Sequence, residues 1–486
     1  MVDEVISVVD CIIYGAGRWG TYAYEEYKDR YNILFFVDND TRKQGTLKCG
    51  LPIMSLDSLK NFKETFVLIS VLYQTDKIKS KLFKIGVKNI GVYFEGITYQ
   101  QLDNTTIETR NIPSLLVDCT RTTRHNDRGG LPRVVNKVIH ELRGLTDNIL
   151  PALFIDDYPL KNMIYEGRYI KGEINANSLH PVKRVIPVPG DRFLALDSCQ
   201  AINIKAVLYN MSVSKTETFV VLYDMIPILH PEFCSSSSMV ESCFDAWHAA
   251  LEQADNIITI SKSVADEIAT YFKDEKISRK QPLPLFYFPM GNDIISRKES
   301  TNLNVRQSIK TFLNGMTFLM VGTIEPRKDH LVVLQALKNI DNDVRLIIIG
   351  YDGWKNNEIK DVIGTRKNVL WINDATDEEL HYCYQHATAL IQASKTEGYG
   401  LPLIEAAQFG LPIICSDIPV FREVTEGQAT FFKVSDANDL AMTLINWLNE
   451  DTHPDSSKIK IHTWRESAKA LLDIVYGNAE PYKILY

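Results

Sequence analysis

Short apolar runs alternate with stretches of helical apolar spacing along most of the chain. Residues 11–14 (CIIY) form one such run and lead directly into GAGRWG at 15–20. A helical pattern continues to about residue 31, and residues 33–37 (ILFFV) predict a second strand ending at Asp38. Further strands are predicted at 65–71 and 89–93, with a helical pattern between them. The polar stretch QLDNTTIETRN (101–111) has no periodicity and reads as a linker. A second series opens after Pro113 with the strand SLLVDCT, the polar loop RTTRHNDRGG and the helix LPRVVNKVIHEL. Pro132 falls early in that helix, where a missing amide proton costs little. Strands are predicted next at 192–196, 218–223, 256–260 and 285–288, the later ones separated by helices such as 240–253. The charged segment SRKESTNLN (296–304) connects to a third series, with strands at 317–321, 345–349, 368–372, 389–392, 412–415 and 429–432. Residues 462–476 carry a last helical pattern through Trp464, Ala468, Leu471, Leu472 and Val475. This alternation predicts an α/β protein of parallel sheets covered by helices, without an internal repeat of 20–50 residues.

Composition narrows the picture. A length of 486 residues calls for about three domains, and the boundaries above give 1–105, 112–298, 299–462 and a C-terminal helical segment, 463–486. A hydrophobic content of 45% and a charged content of 23% are those of an ordinary globular chain. The formal net charge of −8 excludes nucleic acid as an expected partner. Eight cysteines lie far apart with no C-x-x-C pair, so they read as free thiols rather than a metal or redox site. The N-terminus has acidic residues where a secretory signal carries positive charge, and no run reaches the ~18–20 apolar residues of a membrane span. The expectation is a cytoplasmic protein, with peripheral contact at the inner face of the membrane left open.

The strongest chemical signal is SKTEGYGLPLIE at 394–405, with Glu397 and Glu405 eight positions apart. The segment follows a predicted strand, turns on Gly398 and Gly400 and opens a helix. A helix start offers free amide protons and a positive dipole end, suited to a pyrophosphate. Glu405 falls about one turn into the helix, within reach of a ribose, while Glu397 stands on the loop, nearer a sugar; on spacing alone Glu405 reads equally as a helix-start carboxylate. A second signal is VGTIEPRKDHLVVLQAL (321–337), in which a turn with Gly322 and Thr323 precedes Arg327 and Lys328. The two cations could neutralise a leaving diphosphate, or form a solvated pair on a surface-facing helix start.

Read together with AAQFGLPIICSDIPVFREV, the first segment resembles the signature of family 4 retaining glycosyltransferases of the GT-B fold, which pair E-x7-E with a following S-D-I-P segment. The resemblance covers residues 113–476. It implies that Glu397 contacts the transferred sugar, Glu405 the ribose, and Arg327 and Lys328 the diphosphate. Gly322, Thr323, Gly398, Tyr399, Gly400 and Leu401 would line the donor site. The segment LWINDATDEELHYCYQHA is similar to the part of the family that meets the base, which would put Ile372 and Asn373 there. Thr376 and Glu379 are explained by a capping box alone. The loop carrying Gly129 and Gly130 resembles the acceptor-side loop, and a plain turn is an equal reading. VVLYDMIPILHPEF resembles the H-D-L-I-P-L segment of bacterial polysaccharide transferases, with Tyr223 where many relatives have His. Asp224 keeps its place there as a contact to acceptor or sugar, or as a strand-end cap.

In the first domain, Gly15, Gly17 and Gly20 form G-x-G-x-x-G between a strand and a helix, with Asp38 after the second strand: the dinucleotide fingerprint in its context. With FFVDNDTRKQGTLKCGLPIMSLDSL, it resembles the Rossmann-like domain fused to surface-polysaccharide enzymes, and NAD or a nucleotide sugar is its implied ligand. Together these features imply a GT-B fold of two Rossmann-like domains facing a cleft, preceded by a third, with the last helix crossing back to the first GT-B domain. The implied enzyme moves a hexose, GDP-mannose-like, from a nucleotide sugar to a glycan or lipid-linked glycan with retention of configuration, and needs no metal or cofactor for transfer. The competing readings are a catalytically silent nucleotide-sugar sensor, suggested by Tyr223, and a bifunctional enzyme with NAD-dependent sugar chemistry in the first domain. Oligomeric state is not legible.

Overall fold

The computed structural model describes residues 9–28, 31–70, 75–92, 106–108, 112–124, 130–152, 169–170, 173–174, 183–185, 187–293, 305–340 and 344–486. The chain divides into two compact units, Met1–Val221 with Glu241–Asn256, and Leu222–Val240 with Ile257–Tyr486.

In the first unit, an N-terminal sheet has the order Leu47–Lys48, Leu51–Met54, Tyr31–Val37, Val9–Tyr14, Phe66–Ile69, Ile90–Val92, parallel except for the hairpin of the first two. Its central strand is buried on both faces. Ile12 and Tyr14 pack with Val37 and Ile69 on one side, Cys11 and Ile13 with Phe36 and Leu68 on the other. Double burial explains the unbroken apolar runs in the sequence. Gly15 has a φ of 113° and donates to the Val37 carbonyl. A Cβ on Gly20 would fall 2.0 Å from the Gly15 carbonyl oxygen, so glycine there lets the helix Arg18–Tyr27 approach the strand. A second parallel set in this unit runs Glu217–Leu222, Arg192–Ala195, Leu115–Asp118, Ile149–Ala152. The stretch 101–111, expected to be a linker, contains the strand Thr106–Glu108, which pairs in parallel with Lys183–Val185. A strand of three residues whose partner lies far along the chain leaves no local periodicity.

The second unit contains a six-stranded sheet, parallel throughout, in the order Val369–Ile372, Arg345–Ile349, Thr317–Val321, Ala389–Gln392, Ile413–Ser416, Thr430–Phe432. All six follow the predicted runs to within a residue or two. The order reverses between Thr317–Val321 and Ala389–Gln392, and at such a switch point the loops beyond the two carboxyl ends diverge and leave a crevice. The helix Lys262–Asp274 starts with its amides at Lys262 and Ser263 donating to Glu423, 2.8 Å each, which ties it to the helix Pro419–Thr425. At the chain's end, Thr463 and Glu466 form a capping box for the helix Trp464–Val475, and Ser467 donates to the Pro289 carbonyl at 2.7 Å. The strand Lys483–Leu485, without a signal in the sequence, pairs antiparallel with Leu283–Tyr287. The final helix and strand thus pack on residues 283–291. No helix among the described residues is long and apolar enough to cross a membrane.

Two glycines test the packing of the switch-point loops. A Cβ on Gly350 would lie 1.8 Å from the Gly322 carbonyl oxygen, whereas one on Gly364, at the end of the helix Asn357–Gly364, would meet nothing within 4 Å. Gly350→Ala is expected to lower stability by roughly 1–3 kcal/mol, and Gly364→Ala to leave it unchanged or raise it by up to about 1 kcal/mol. Urea unfolding of both variants checks this; equal losses would contradict it.

Candidate functional site

The strand Thr317–Val321 ends at Gly322, whose φ of 148° suits glycine and whose amide donates to the Ile349 carbonyl at 2.9 Å. The aliphatic part of Lys328 crosses it closely: a Cβ at 322 would meet Lys328 Cε at 3.2 Å. Arg327 and Lys328 sit on the 3₁₀ turn Pro326–Lys328, closed by Asp329 in the left-handed region at φ 50°. Their side chains are only 17% and 11% exposed. The expectation of a surface-facing helix start is therefore corrected: both cations point inward, because an anion from the neighbouring loop stands between them.

That anion is Glu397, 10% exposed. Its carboxylate pairs with Arg327 at 2.5 Å and with Lys328, and accepts from Ser394 Oγ at 2.8 Å. Arg327 is held further by Glu325, at 2.5 Å and 4% exposed, and donates to the Thr396 carbonyl at 3.1 Å. The Lys395 amide donates to the Arg327 carbonyl at 2.9 Å, locking the two loops together. Burial pushes the Glu397 carboxyl up, but Arg327 and then Lys328 outweigh it and hold it at about 2. For Arg327, burial opposes the charge, and Glu397, Glu325 and Asp224 more than restore it. Removing one partner from a buried pair of this kind costs about 3–5 kcal/mol.

Glu405 stands in the helix Leu401–Phe409, where one carboxylate oxygen accepts from Tyr384 Oη at 2.7 Å. It is thus engaged by a buried tyrosine of the helix Asp377–His386 rather than by the dipole of its own first turn. Between the two glutamates the backbone is constrained at both glycines. A Cβ on Gly398 would lie 2.2 Å from the Tyr223 carbonyl oxygen, and the Gly398 carbonyl accepts from Ser261 Oγ at 2.8 Å. Gly400, at φ 105°, is the N-cap residue of the helix and faces Phe421. Tyr399 is half-buried, its hydroxyl pushed up to about 12 by burial and then by Glu423. Leu401 is half-buried at the helix start.

Asp224 accepts from the Ile226 amide at 3.0 Å and so caps the turn into Ile226–Leu229. It also belongs to the charge cluster: burial raises its carboxyl, Arg327 opposes that, and Glu397 and Glu325 add to it. The cap reading and the site reading describe the same side chain. Glu267, on the helix Lys262–Asp274, faces the same cluster and is pushed up to about 7, by burial first and then by Asp224. Of the other expected residues, Thr323 packs on Gly353, Ile372 is buried and Asn373 exposed. Thr376 and Glu379 form the expected capping box, and Glu379 holds Arg306 at 2.6 Å. Gly130 begins the helix Gly130–Leu145 in the first unit; Gly129 lies outside the described residues.

In the N-terminal sheet, Asp38 is already engaged. It accepts from the Ala16 amide at 2.9 Å, the Asp40 amide at 2.9 Å and Lys43 at 3.0 Å. Gly17 is the N-cap residue of Arg18–Tyr27, and a Cβ there would meet nothing within 4 Å.

The family "Glycosyl transferases group 1" matches residues 303–468, and "C2185-like, N-terminal" matches 8–92. The chain carries a group 1 glycosyltransferase domain. Around it the fold is GT-B, preceded by the N-terminal Rossmann-like domain. Sucrose-phosphate synthase from Thermosynechococcus elongatus superposes with a TM-score of 0.51 at 16% identity, over 76% of this chain and 97% of that one. Anabaena HepE in complex with UDP and glucose superposes at 0.50 and 16%, over 75% and 96%. In sequence, the serotype-specific mannosyltransferase WbdA of Escherichia coli is 31% identical over 386 residues, 75% of this chain and 45% of WbdA. O-antigen chain mannosyltransferase B of the same species is 28% identical over 233 residues, 46% of this chain and 56% of that protein. The chain spans about half the length of these curated relatives. Arg327, Lys328, Glu397 and Glu405 all lie inside the glycosyltransferase domain, while Tyr223, Asp224 and Glu267 precede it.

Glu325, Tyr384, Ser261 and Glu267 were not singled out in the sequence. Glu325 alone had a usable signal, an acid two residues before Arg327; the others reach the site from separate elements. The folded value of Glu267, about 7, lies above the ordinary 4.5. The protonated form is therefore favoured by folding, and its contribution is full below 4.5 and lost as pH rises through 7. Glu267→Gln should gain melting temperature over the unaltered protein progressively between pH 5 and 8; a difference independent of pH would contradict the assignment.

Proposed function

We propose that the chain transfers a mannose-type hexose from a GDP-mannose-like nucleotide sugar to a glycan or lipid-linked glycan, with retention of anomeric configuration, during synthesis of a surface polysaccharide. The observation that carries the reading is the pair Arg327 and Lys328 converging on Glu397 at the switch point, with Glu405 one helical turn farther on. The similarity to mannosyltransferases supports the sugar class. Residues 299–462 would serve the donor, 112–298 the acceptor, and 463–486 would close the transferase, at the cytoplasmic face of the membrane.

In this reading Arg327, Lys328 and the amides at the start of Leu401–Phe409 stabilise charge on the leaving diphosphate. Glu405, oriented by Tyr384, accepts from the ribose, and Glu397 and Asp224 serve hydroxyls of the sugar or acceptor. The bond from the anomeric carbon to the phosphate oxygen breaks, and the acceptor oxygen bonds to that carbon on the same face. The acceptor proton passes to the departing phosphate, so the chain supplies positioning and charge rather than a nucleophile. Lining contacts would come from Gly322, Thr323, Tyr399, Leu401, Ile372 and Asn373.

Screening nucleotide sugars with lipid-linked and free glycan acceptors tests this, with the anomeric configuration read by NMR. Glu405→Ala is expected to weaken donor binding at a cost of about 1.5–3 kcal/mol, and Tyr384→Phe to do the same to a smaller degree. Replacing Arg327 and Lys328 together should abolish transfer. Unaltered donor affinity and turnover in all three would refute the site.

The N-terminal domain would bind a nucleotide of its own, NAD or a nucleotide sugar, at the Gly15 and Gly17 turn. The space around Gly17 supports this, since a Cβ there would meet nothing within 4 Å among the described residues. With Asp38 held by its own loop, the contact to a ribose would have to compete with Lys43. In the full chain, Gly17→Val should remove any melting-temperature shift caused by that ligand while transfer persists. Loss of transfer with an unchanged shift would reverse the assignment.

A further inference from the structure

Arg327 and Lys328 offer two positive charges, and a protein carboxylate closes on both. Glu397 pairs with each of them, and Glu325 takes a second face of Arg327. We infer that Glu397 occupies, in the free chain, the seat of the donor's diphosphate, and that donor binding exchanges one anion for the other and releases Glu397 toward the sugar hydroxyls. The inference rests on the reading of Arg327 and Lys328 as the phosphate seat and adds how that seat is guarded and emptied.

Three observations support it. The loop around Glu397 is pinned on both sides, by the Lys395 amide on the Arg327 carbonyl and by Gly398 against the Tyr223 carbonyl and Ser261. The exchange is then a rotation of one side chain within a fixed frame. The two carboxylates on Arg327 also differ in kind. Glu325 stands two residues away on the same turn and stays with the guanidinium when Glu397 leaves, so Arg327 keeps its orientation and a counter-ion throughout. Finally, Glu325 and Glu397 pair with Arg327 and Asp224 adds its field there, while Glu397 also pairs with Lys328 and Asp224 in turn acts on Glu267. A diphosphate added while Glu397 remained in place would bring further negative charge to the same donors; removal of Glu397 relieves that repulsion. With its carboxyl held at about 2, Glu397 does not leave by protonation near neutral pH. A competing anion has to displace it.

The exchange discriminates donor from product. A nucleotide sugar displaces Glu397 and gives it new hydroxyl partners; a nucleoside diphosphate displaces it and gives it none. After transfer, Glu397 returns to Arg327 and Lys328 and helps expel the spent diphosphate.

Calorimetric titration of the full chain and of Glu397→Gln with GDP and with UDP tests this. Glu397→Gln is expected to bind the preferred diphosphate about tenfold tighter, the worth of one charge-assisted hydrogen bond, while kcat falls. Glu397→Asp, which keeps the competing charge, should stay near the unaltered affinity. Unchanged or weaker diphosphate binding in a folded Glu397→Gln would overturn the exchange while leaving the phosphate seat in place. Binding that persists in Arg327→Ala and Lys328→Ala, or that is missing from every form of the protein, would sink the phosphate seat itself, and the exchange with it. Should Glu397→Gln fail to fold, Ser394→Ala removes the hydroxyl that steadies Glu397 on the cations. It should raise diphosphate affinity about twofold to threefold, and no rise would count against the inference.

Discussion

A carboxylate with nine-tenths of its side chain out of water keeps its charge only when cations stand against it, because burial alone favours the neutral acid. Glu397 meets that condition through Arg327 and Lys328, and much of the second unit's central architecture serves to bring the three together. The cations arrive on the loop after one central strand and the carboxylate on the loop after its neighbour. Only at the point where strand order reverses do two such loops border the same crevice. The parallel sheet is therefore the device that converts two distant loops into one charged site.

The backbone pays attention to the same requirement at a few places. Gly322 leaves room for the stem of Lys328, Gly350 for the carbonyl of Gly322, and Gly398 for the carbonyl of Tyr223. A side chain at 350 or 398 would press on neighbouring backbone, and one at 322 would crowd the stem of Lys328. Glu405 is placed differently: its helix fixes its position and the Tyr384 hydroxyl fixes its carboxylate. The two glutamates of the motif thus have distinct surroundings, one between two cations and one on a tyrosine hydroxyl.

The N-terminal domain shows how similar sequence marks serve different local chemistry. It has a glycine turn after a central strand and an acid after the next, yet the Asp38 carboxylate closes its own loop through two amides and Lys43. Here the acid organises the protein's own backbone. In the glycosyltransferase domain, the acids instead converge with cations across loops. A pattern of glycines and one carboxylate is satisfied by both arrangements.

The sequence alone determined the doubly wound α/β organisation, because strands buried on both faces must be continuously apolar and the helices between them amphipathic. It also determined the strands of the six-stranded sheet nearly to the residue and the capping box of Thr376 and Glu379, which depend on neighbours in the chain. The motif around Glu397 and Glu405 was legible for the same reason: loop, glycine and helix start are contiguous. Only the tertiary structure decided that Arg327 and Lys328 face inward, that Glu325 and Tyr384 hold the site's charged groups, and that Glu267 shares the field of Asp224. It also supplied the strands Thr106–Glu108 and Lys483–Leu485, whose partners are remote. A residue's partner 69 positions away leaves no mark on its local pattern. Charge state follows from that partner and from burial, and both are properties of the folded chain.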